Sequence, residues 1–496
     1  MPTAKNNSRR IAAGIALLIS GMLNCFGAVN VKDFGAKGDG ANIDSRAINA
    51  AIQKVADDGG GTVIIPSGTY LSYSIRMKDH VNLHLETGAR LVAAKVTDEY
   101  RYDLPEAGPE PQYQDFGHSH WQNSLIWGIG LEDVRISGFG TIDGSNLGNG
   151  YSTEALLDGL ANKAIAFKDC RNVTIENVTI FKGGHFAILF TGTDGINVSG
   201  ITIDTNRDGI DIDCCRNVKI IGCSVNSPQD DAIVLKASYA LGRFVDTQDV
   251  AIIGCNISGY DVGSLLDATY KMPTSIYLQM GRSSDKTQHK GRIKLGTESS
   301  GGFKNVTVTG CTFEYSGGLL IESVDGGIVE DIIATNLVMR HCSDSPVFIR
   351  LGERMRSPEG TAVGKIRRVN ISDVISSEGD PSFNCIIAGT PGHPIEDIVL
   401  DNIRINTLGG KTMEEALRDI PEAEEKYPDP WLFGSNRDHC LPFSGMMLRH
   451  VNRIHIKGLY FSFEEKDSRK LFWIEDVHKA VFENIYSEGR KIKLRK

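Results

Sequence analysis

The chain has 496 residues, enough to bury a large core, and its 41% hydrophobic and 23% charged content is that of an ordinary soluble globular protein. Its formal net charge of −9 gives a nucleic-acid role no support, and an anionic substrate would need a locally basic cleft. Gly is abundant at 54 and Pro scarce at 16, which fits many tight turns and little disorder.

Residues 1–27 read as a secretory signal. Arg9 and Arg10 form a basic start, Ile11 to Leu23 an apolar stretch, and Gly27 and Ala28 supply small residues. The apolar run is too short for a membrane span, and no second segment is long enough. Export to the periplasm or the outside is therefore expected. Twin-arginine export and lipid attachment at Cys25 are the weaker alternatives, because Asn24 fits a lipidation motif poorly. Residues 28–496 are expected to form one domain. Near its start, Ser45 to Asp57 reads as a helix that caps a solenoid and hides the open edge of its first coil.

From there one pattern recurs: a β-branched residue, an apolar residue two later, and a small or apolar residue five later. "NVTIENV" carries it at Val173, Ile175 and Val178, "NVSGITI" at Val198 and Ile203, "NVKIIGC" at Val218, Ile220 and Cys223. "DVAIIGC" repeats it at Val250, Ile252 and Cys255, and "NVTVTGC" at Val306, Val308 and Cys311. Alternation of V-x-I type makes a strand with one face inward, and the Gly or Asn that follows makes a corner. Short strands repeating every 20–30 residues or so predict an all-β fold, a parallel β-helix whose coils stack about 4.8 Å apart. Cys223, Cys255 and Cys311 then form an interior column of small hydrophobes. Of the ten cysteines, nine remain after signal removal, so at least one thiol is free or paired between molecules. No CxxC pair with zinc spacing occurs. Two stretches without the repeat, Gly259–Lys290 and Asn406–Leu448, are insertions that leave the solenoid at corners and can wall a groove.

Carboxylates cluster in "NRDGIDID" and "PQDDAIVLK". A coil of about 22 residues, within the usual repeat range, puts Asp208 one rung from Asp230 and Asp231, with Asp211 along the same strand. Stacked carboxylates repel, which raises some of their pKa values. A protonated acid beside an ionised partner is what glycoside hydrolysis needs, with a gap of about 6.5–9.5 Å for inversion through water. The blander readings are solvated turn aspartates or a calcium site.

These two strings resemble the N-x-D…D-D signature of glycoside hydrolase family 28, the polygalacturonases and rhamnogalacturonan hydrolases. "FGAKGDG", "NSLIWGIGLEDVRISGFGTIDG" and "GGHFAILF" extend the resemblance over most of the mature chain. It implies a right-handed, pectin-lyase-like β-helix and an inverting hydrolase that needs no cofactor or metal. Carried over, Asp208, Asp230 and Asp231 are catalytic, with Asp231 assigned as the acid and Asp208 with Asp230 as activators of water. The resemblance departs on the next coils. "GRIKLGTESSGG" has no histidine in register, its Arg292-Ile293-Lys294 comes one coil early, and Leu320 and Glu322 stand where the family has Arg and Lys. Either Arg292 and Lys294 meet a substrate carboxylate, or that sugar is not galacturonate. This fits an exo-acting or branched-pectin enzyme better than a plain endo-polygalacturonase.

His185, Asp211, Lys236, Glu298 and Glu322 complete the expected substrate contacts. Arg350 and Arg354 are candidates for the cleft edge, Trp121 for stacking on sugars and Trp127 for packing. The expected partner is a pectic polysaccharide or oligosaccharide, bound by a monomer. Two other readings stay open. A lyase on the same fold would use Asp208, Asp211 and Asp230 as calcium ligands and Arg292 or Lys294 as base. A non-catalytic glycan-binding β-helix would leave the aspartates without a role.

Overall fold

The structure, a computed structural model, describes residues 27–107, 112–113, 116–148, 158–272, 289–433 and 440–494. The signal-like stretch before Gly27, Cys25 included, lies outside the described residues, as do parts of both insertions.

The V-x-I segments form short strands, and equivalent strands of successive coils pair in parallel. Val173 lies beside Ile196, Ile196 beside Val218, Val218 beside Val250, and Val250 beside Val306. The described strands join into one continuous hydrogen-bonded system. This is the parallel β-helix the repeat calls for. One copy is shifted from its expected alignment: Ile196, not Val198, is level with Val173, and Val198 pairs with Ile175.

A single left-handed residue turns the chain at the corner after each of these strands. The positions are Asn177 (φ 61°), Gly200 (62°), Gly222 (61°), Gly254 (63°) and Gly310 (66°). Left-handed backbone suits Gly and is tolerated by Asn, so the repeat carries one or the other there. Inward residues of the coils fill the core. Ile210, Ile212, Ile233, Leu235, Ile293 and Leu295 are wholly buried, each worth about 1.5–3 kcal/mol of transfer free energy. Cys223, Cys255 and Cys311 sit in one buried column, because Asn256 pairs with both Ser224 and Thr312. The nine described cysteines are all free and buried.

Helix Ser45–Asp57 buries Ile48, Ala51, Ile52 and Val55 against the first coils. At the other end, strand Lys470–Ser487 closes the stack and pairs antiparallel with Arg490–Ile492. No helix among the described residues is long and apolar enough to cross a membrane.

The sheet that matters for function stacks Phe186–Thr191, Asp208–Asp213, Ile233–Ala237, Ile293–Ser299 and Leu319–Ser323. In Asp208–Asp213 every residue is buried, outward side chains included. Other chain segments therefore cover its outer face.

Corner and stacking glycines should respond differently to substitution. A Cβ on Gly222 meets nothing within 4 Å, so Gly222→Ala should cost only the backbone strain, about 1–2 kcal/mol, and Gly222→Asn less. On Gly302 a Cβ would stand 2.1 Å from the Ile328 carbonyl oxygen, so Gly302→Ala should give insoluble protein or no cooperative transition. Urea unfolding of the three variants checks this.

Candidate active site

Asp208 opens its strand, and Asp230 and Asp231 precede Ile233–Ala237 on the next coil. The Asp231 backbone N–H donates to Asp208 Oδ1 at 3.3 Å, and the Gly209 N–H donates to the Asp231 carbonyl at 2.9 Å. Gly209 permits this closeness, since a Cβ there would lie 2.4 Å from the Ala232 carbonyl oxygen. One oxygen from each of Asp208, Asp230 and Asp231 lies within 4.8 Å of the other two. That nearest-oxygen spacing is tighter than the gap of about 6.5–9.5 Å expected for inverting carboxyl pairs. The reason is the fold: adjacent rungs stand only about 4.8 Å apart.

Stacked acids need interleaved cations. Lys236 Nζ stands 3.0 Å from Asp208 Oδ2, 2.5 Å from Asp211 Oδ1 and 2.8 Å from His118 Nε2. Burial alone would lower the Lys236 value, but Asp208, Asp211 and Glu298 carry it well above the ordinary one. Burial, with the charges of Asp230 and Asp231, pushes Asp208 up to about 7 in spite of Lys236. Burial likewise raises Asp211 well above its usual range. Asp230 goes the other way. Burial pushes it up, but Arg207, Arg292, Lys236 and Lys290 together hold it below the ordinary carboxylate value.

Arg207 Nη2 reaches Asp230 Oδ2 at 2.5 Å. Arg292 is the hub of the far side, with Nε 2.5 Å from Asp231 Oδ1, Nη1 2.5 Å from Asp429 Oδ1 and Nη2 3.9 Å from Asp230 Oδ1. Lys294 lies 3.3 Å from Glu322 Oε2 with both side chains fully buried. Burial lifts Glu322 to about 8 despite Lys294. Glu298, also buried, is held low by Lys236, Arg354 and Arg356 against the effect of burial.

Direct ion pairs thus join Lys236 to Asp208 and Asp211, Arg292 to Asp230 and Asp231, and Lys294 to Glu322, with Glu298 in the field of Lys236. His185 stands 6.0 Å from the His118 ring, and burial keeps both imidazoles well below the usual histidine value. Arg350 is not at a cleft edge; it is 1% exposed and donates to the Gly389 carbonyl at 2.9 Å. Arg354 pairs with Asp325 at 2.5 Å. Trp121 is no sugar platform: it is buried, with Nε1 bonded to Thr191 Oγ1 at 3.0 Å and Lys168 over its ring. Trp127 is half-buried and bonded to Asp103.

Sequence reasoning missed Arg207, His118, Lys290, Tyr427, Asp429 and Trp431. Arg207 stands inside the quoted "NRDG", where its charge beside an aspartate was the available signal. His118 and the Tyr427–Trp431 stretch belong to no repeat.

Among the described residues, two acid-rich sets have a metal-like spacing: His118, Asp208 and Asp211, and Asp208, Asp230 and Asp231. In the first, the Lys236 ammonium already sits between the ligand atoms. A shallow groove of about 620 Å³ runs past Asn172, Asn197, Lys219 and Asp249. It holds none of these acids.

A β-helix with three aspartates converging from adjacent coils defines the class of solenoid glycoside hydrolases. The profile described as Glycosyl hydrolases family 28 matches residues 112–267, and that described as Rhamnogalacturonase A/epimerase, pectate lyase-like matches residues 28–88. A "Probable polygalacturonase" of Vitis vinifera is 26% identical over 404 residues, 76% of this chain and 74% of that protein. The "Exo-poly-alpha-D-galacturonosidase" of Dickeya chrysanthemi is 22% identical over 266 residues, 44% of this chain and 43% of that one. The fold is shared with a hyperthermoactive exopolygalacturonase from Thermotoga maritima, at TM-score 0.60 and 21% identity over 77% of this chain and 87% of that one. It is shared too with the family 28 exopolygalacturonase of Yersinia enterocolitica, at TM-score 0.62 and 16% identity over 91% and 78%. Over residues 112–267 the chain is similar to glycosyl hydrolases family 28, and it is a glycoside hydrolase.

The raised carboxyls set a pH dependence. The folded protein keeps a proton on Glu322 from its ordinary 4.5 up to about 8, and on Asp208 from 3.8 up to about 7. The unfolded chain has released both over that window, so stability falls as pH rises through it. Thermal unfolding between pH 5 and 7 at fixed ionic strength should show a falling Tm. Glu322→Gln should flatten that fall, and an unchanged slope would remove Glu322 from the account.

Proposed function

We propose that the protein is an exported hydrolase of glycosidic bonds in a pectic, galacturonate-containing polysaccharide or oligosaccharide, acting at Asp208, Asp230 and Asp231. The observation that carries this reading is the convergence of the three carboxylates, one of them open to solvent. Asp230 has a side chain 25% exposed, against 6% for Asp231 and 5% for Asp208.

A donor must come within hydrogen-bond distance of the glycosidic oxygen. Exposure favours Asp230 for that role over Asp231, to which the sequence pointed. Arg207 and Arg292 keep Asp230 ionised, and Asp208 beside it holds the raised value. A sugar that engages Arg207 loosens that hold and lets the proton settle on Asp230. Asp208 and Asp231 are left to hold water, since two hydrogen bonds of about 2.8 Å from one water span a gap of this order. The water oxygen attacks the anomeric carbon, the bond to the leaving oxygen breaks, that oxygen takes the Asp230 proton, and Asp208 takes a proton from water. Inversion follows the family resemblance. Exo action is supported by the names of the relatives and by an insertion that reaches over the site. For the lyase reading, a calcium ion bound by Asp208 and Asp211 would have to displace the Lys236 ammonium.

The test is incubation of the purified mature protein with homogalacturonan, rhamnogalacturonan and their oligosaccharides, with and without chelator. Reducing ends should appear without ultraviolet-absorbing product, and chelator should change nothing. Asp208→Asn and Asp230→Asn should each lower kcat by about 10²–10⁴-fold. A nitrophenyl glycoside, whose leaving group needs no proton, should partly restore Asp230→Asn but not Asp208→Asn. NMR of the first product reads the anomer. An unsaturated, absorbing product would overturn the hydrolase reading, and retention would make one of the three carboxylates a nucleophile.

A further inference from the structure

The second insertion returns to the site at Tyr427-Pro-Asp-Pro-Trp431. Asp429 there is 5% exposed. Its carboxylate is where the cations of the site meet: Arg292 Nη1 at 2.5 Å, Lys290 Nζ at 3.0 Å and Lys294 Nζ at 3.9 Å. Trp431 Nε1 adds a hydrogen bond at 2.9 Å. The guanidinium that holds Asp429 also holds Asp231, so Asp429 stands one side chain from the catalytic pair.

Three cations around one carboxylate are the surroundings a uronate sugar would seek. Here the chain's own acid fills them. Arg292 is 2% exposed and Lys294 0% exposed, so neither offers surface to a substrate anion. A sugar carboxylate could take the place only by expelling Asp429 and leaving it buried and unpaired, a trade that costs more than it returns. What the segment does expose is aromatic. Tyr427 is 42% exposed and Trp431 41% exposed. The Tyr427 ring is fixed, since its hydroxyl accepts from Thr297 Oγ1 at 2.9 Å and Lys294 and Arg354 lie against its faces or edges at 5.4 and 5.7 Å. Rings of this kind, apolar in body and polar at one tip, suit the face of an uncharged sugar.

We propose that Tyr427–Trp431 builds a neutral-sugar subsite beside the catalytic aspartates, with Asp429 as its specificity-determining residue. The sugar lying against Tyr427 and Trp431 carries no carboxylate. This deepens the hydrolase reading and rests on it for the position of the cleaved bond. The substrate class it selects is a mixed oligosaccharide in which galacturonate is joined to a neutral sugar, rather than homogalacturonan.

Two measurements test it. The first is titration calorimetry on Asp230→Asn protein, with rhamnogalacturonan and homogalacturonan oligosaccharides of equal length. The mixed oligosaccharide should bind at least tenfold more tightly. Tighter binding of the homogalacturonan oligosaccharide overturns the subsite, even if the wild type proves to be a hydrolase. If the mixed oligosaccharide binds tighter but the wild type cleaves nothing, the hydrolase reading fails and the subsite stands. The second is kinetics of Asp429→Asn and Tyr427→Ala, each checked for an unchanged Tm. Asp429→Asn should raise kcat/KM on homogalacturonan oligosaccharides at least tenfold and lower it on mixed ones. Tyr427→Ala should raise KM on mixed oligosaccharides severalfold with kcat kept. Equal losses on both substrates in Asp429→Asn overturn the proposal. If that variant does not fold, Tyr427→Ala and the calorimetry decide.

Discussion

Each coil is tied to the next by main-chain hydrogen bonds, and that ladder sets every other distance in the site. Because Ile210 pairs with Ile233 and Ile233 with Ile293, side chains far apart in sequence become nearest neighbours on one face. The ladder has no way to separate two carboxylates placed on adjacent rungs. Asp208 and Asp231 are therefore held in contact whatever their charge, with the Asp231 N–H bonded to Asp208. The raised pKa of Asp208 follows first from burial and then from the charges of Asp230 and Asp231 that the stacking brings near.

The same stacking would be ruinous without counter-charge, since buried ions repay their desolvation only when well paired. The chain meets this by alternating signs across the face. Lys236 lies between Asp208 and Asp211, and Arg292 between Asp231 and Asp429. Asp230 is the exception in this array. It has two arginines nearby yet keeps part of its surface open. The carboxylate left reachable is thus one that Arg207 and Arg292 hold low against the effect of burial.

Much of this was legible in the sequence because the repeat is itself a physical device. V-x-I alternation marks the inward face, and a Gly or Asn after it marks the left-handed corner. Counting one coil from Asp208 reaches Asp230 and Asp231. The frame slipped at "GINVSGITI", where two overlapping alternations compete and the pairing prefers Ile196. Trp121 looked like a free indole, and only the folded chain shows Thr191 waiting for its N–H. Of the cover over the sheet, the insertion Asn406–Leu448 was legible as a stretch that can wall a groove, but not which of its residues would meet the site. His118 comes 118 residues before the lysine it meets, and Asp429 lies 137 residues beyond its arginine. Neither belongs to a repeat, so no coil count leads to it.

That division has a consequence for how such a protein changes its substrate. Asp208, Asp211, Lys236 and Lys294 stand on strands, where a shift of one residue turns a side chain to the other face, and Asp230, Asp231 and Arg292 lie just before strands of the same ladder. The Tyr427–Trp431 segment hangs from a corner and is bound by no register. It can carry a charge to the cations or withhold it without disturbing the ladder. With Asp429 in place, the charge of Arg292 is already divided between two aspartates of the chain itself. A sugar carboxylate arriving there finds no cation left to bind it, while the two exposed rings beside it still offer a surface to an uncharged sugar.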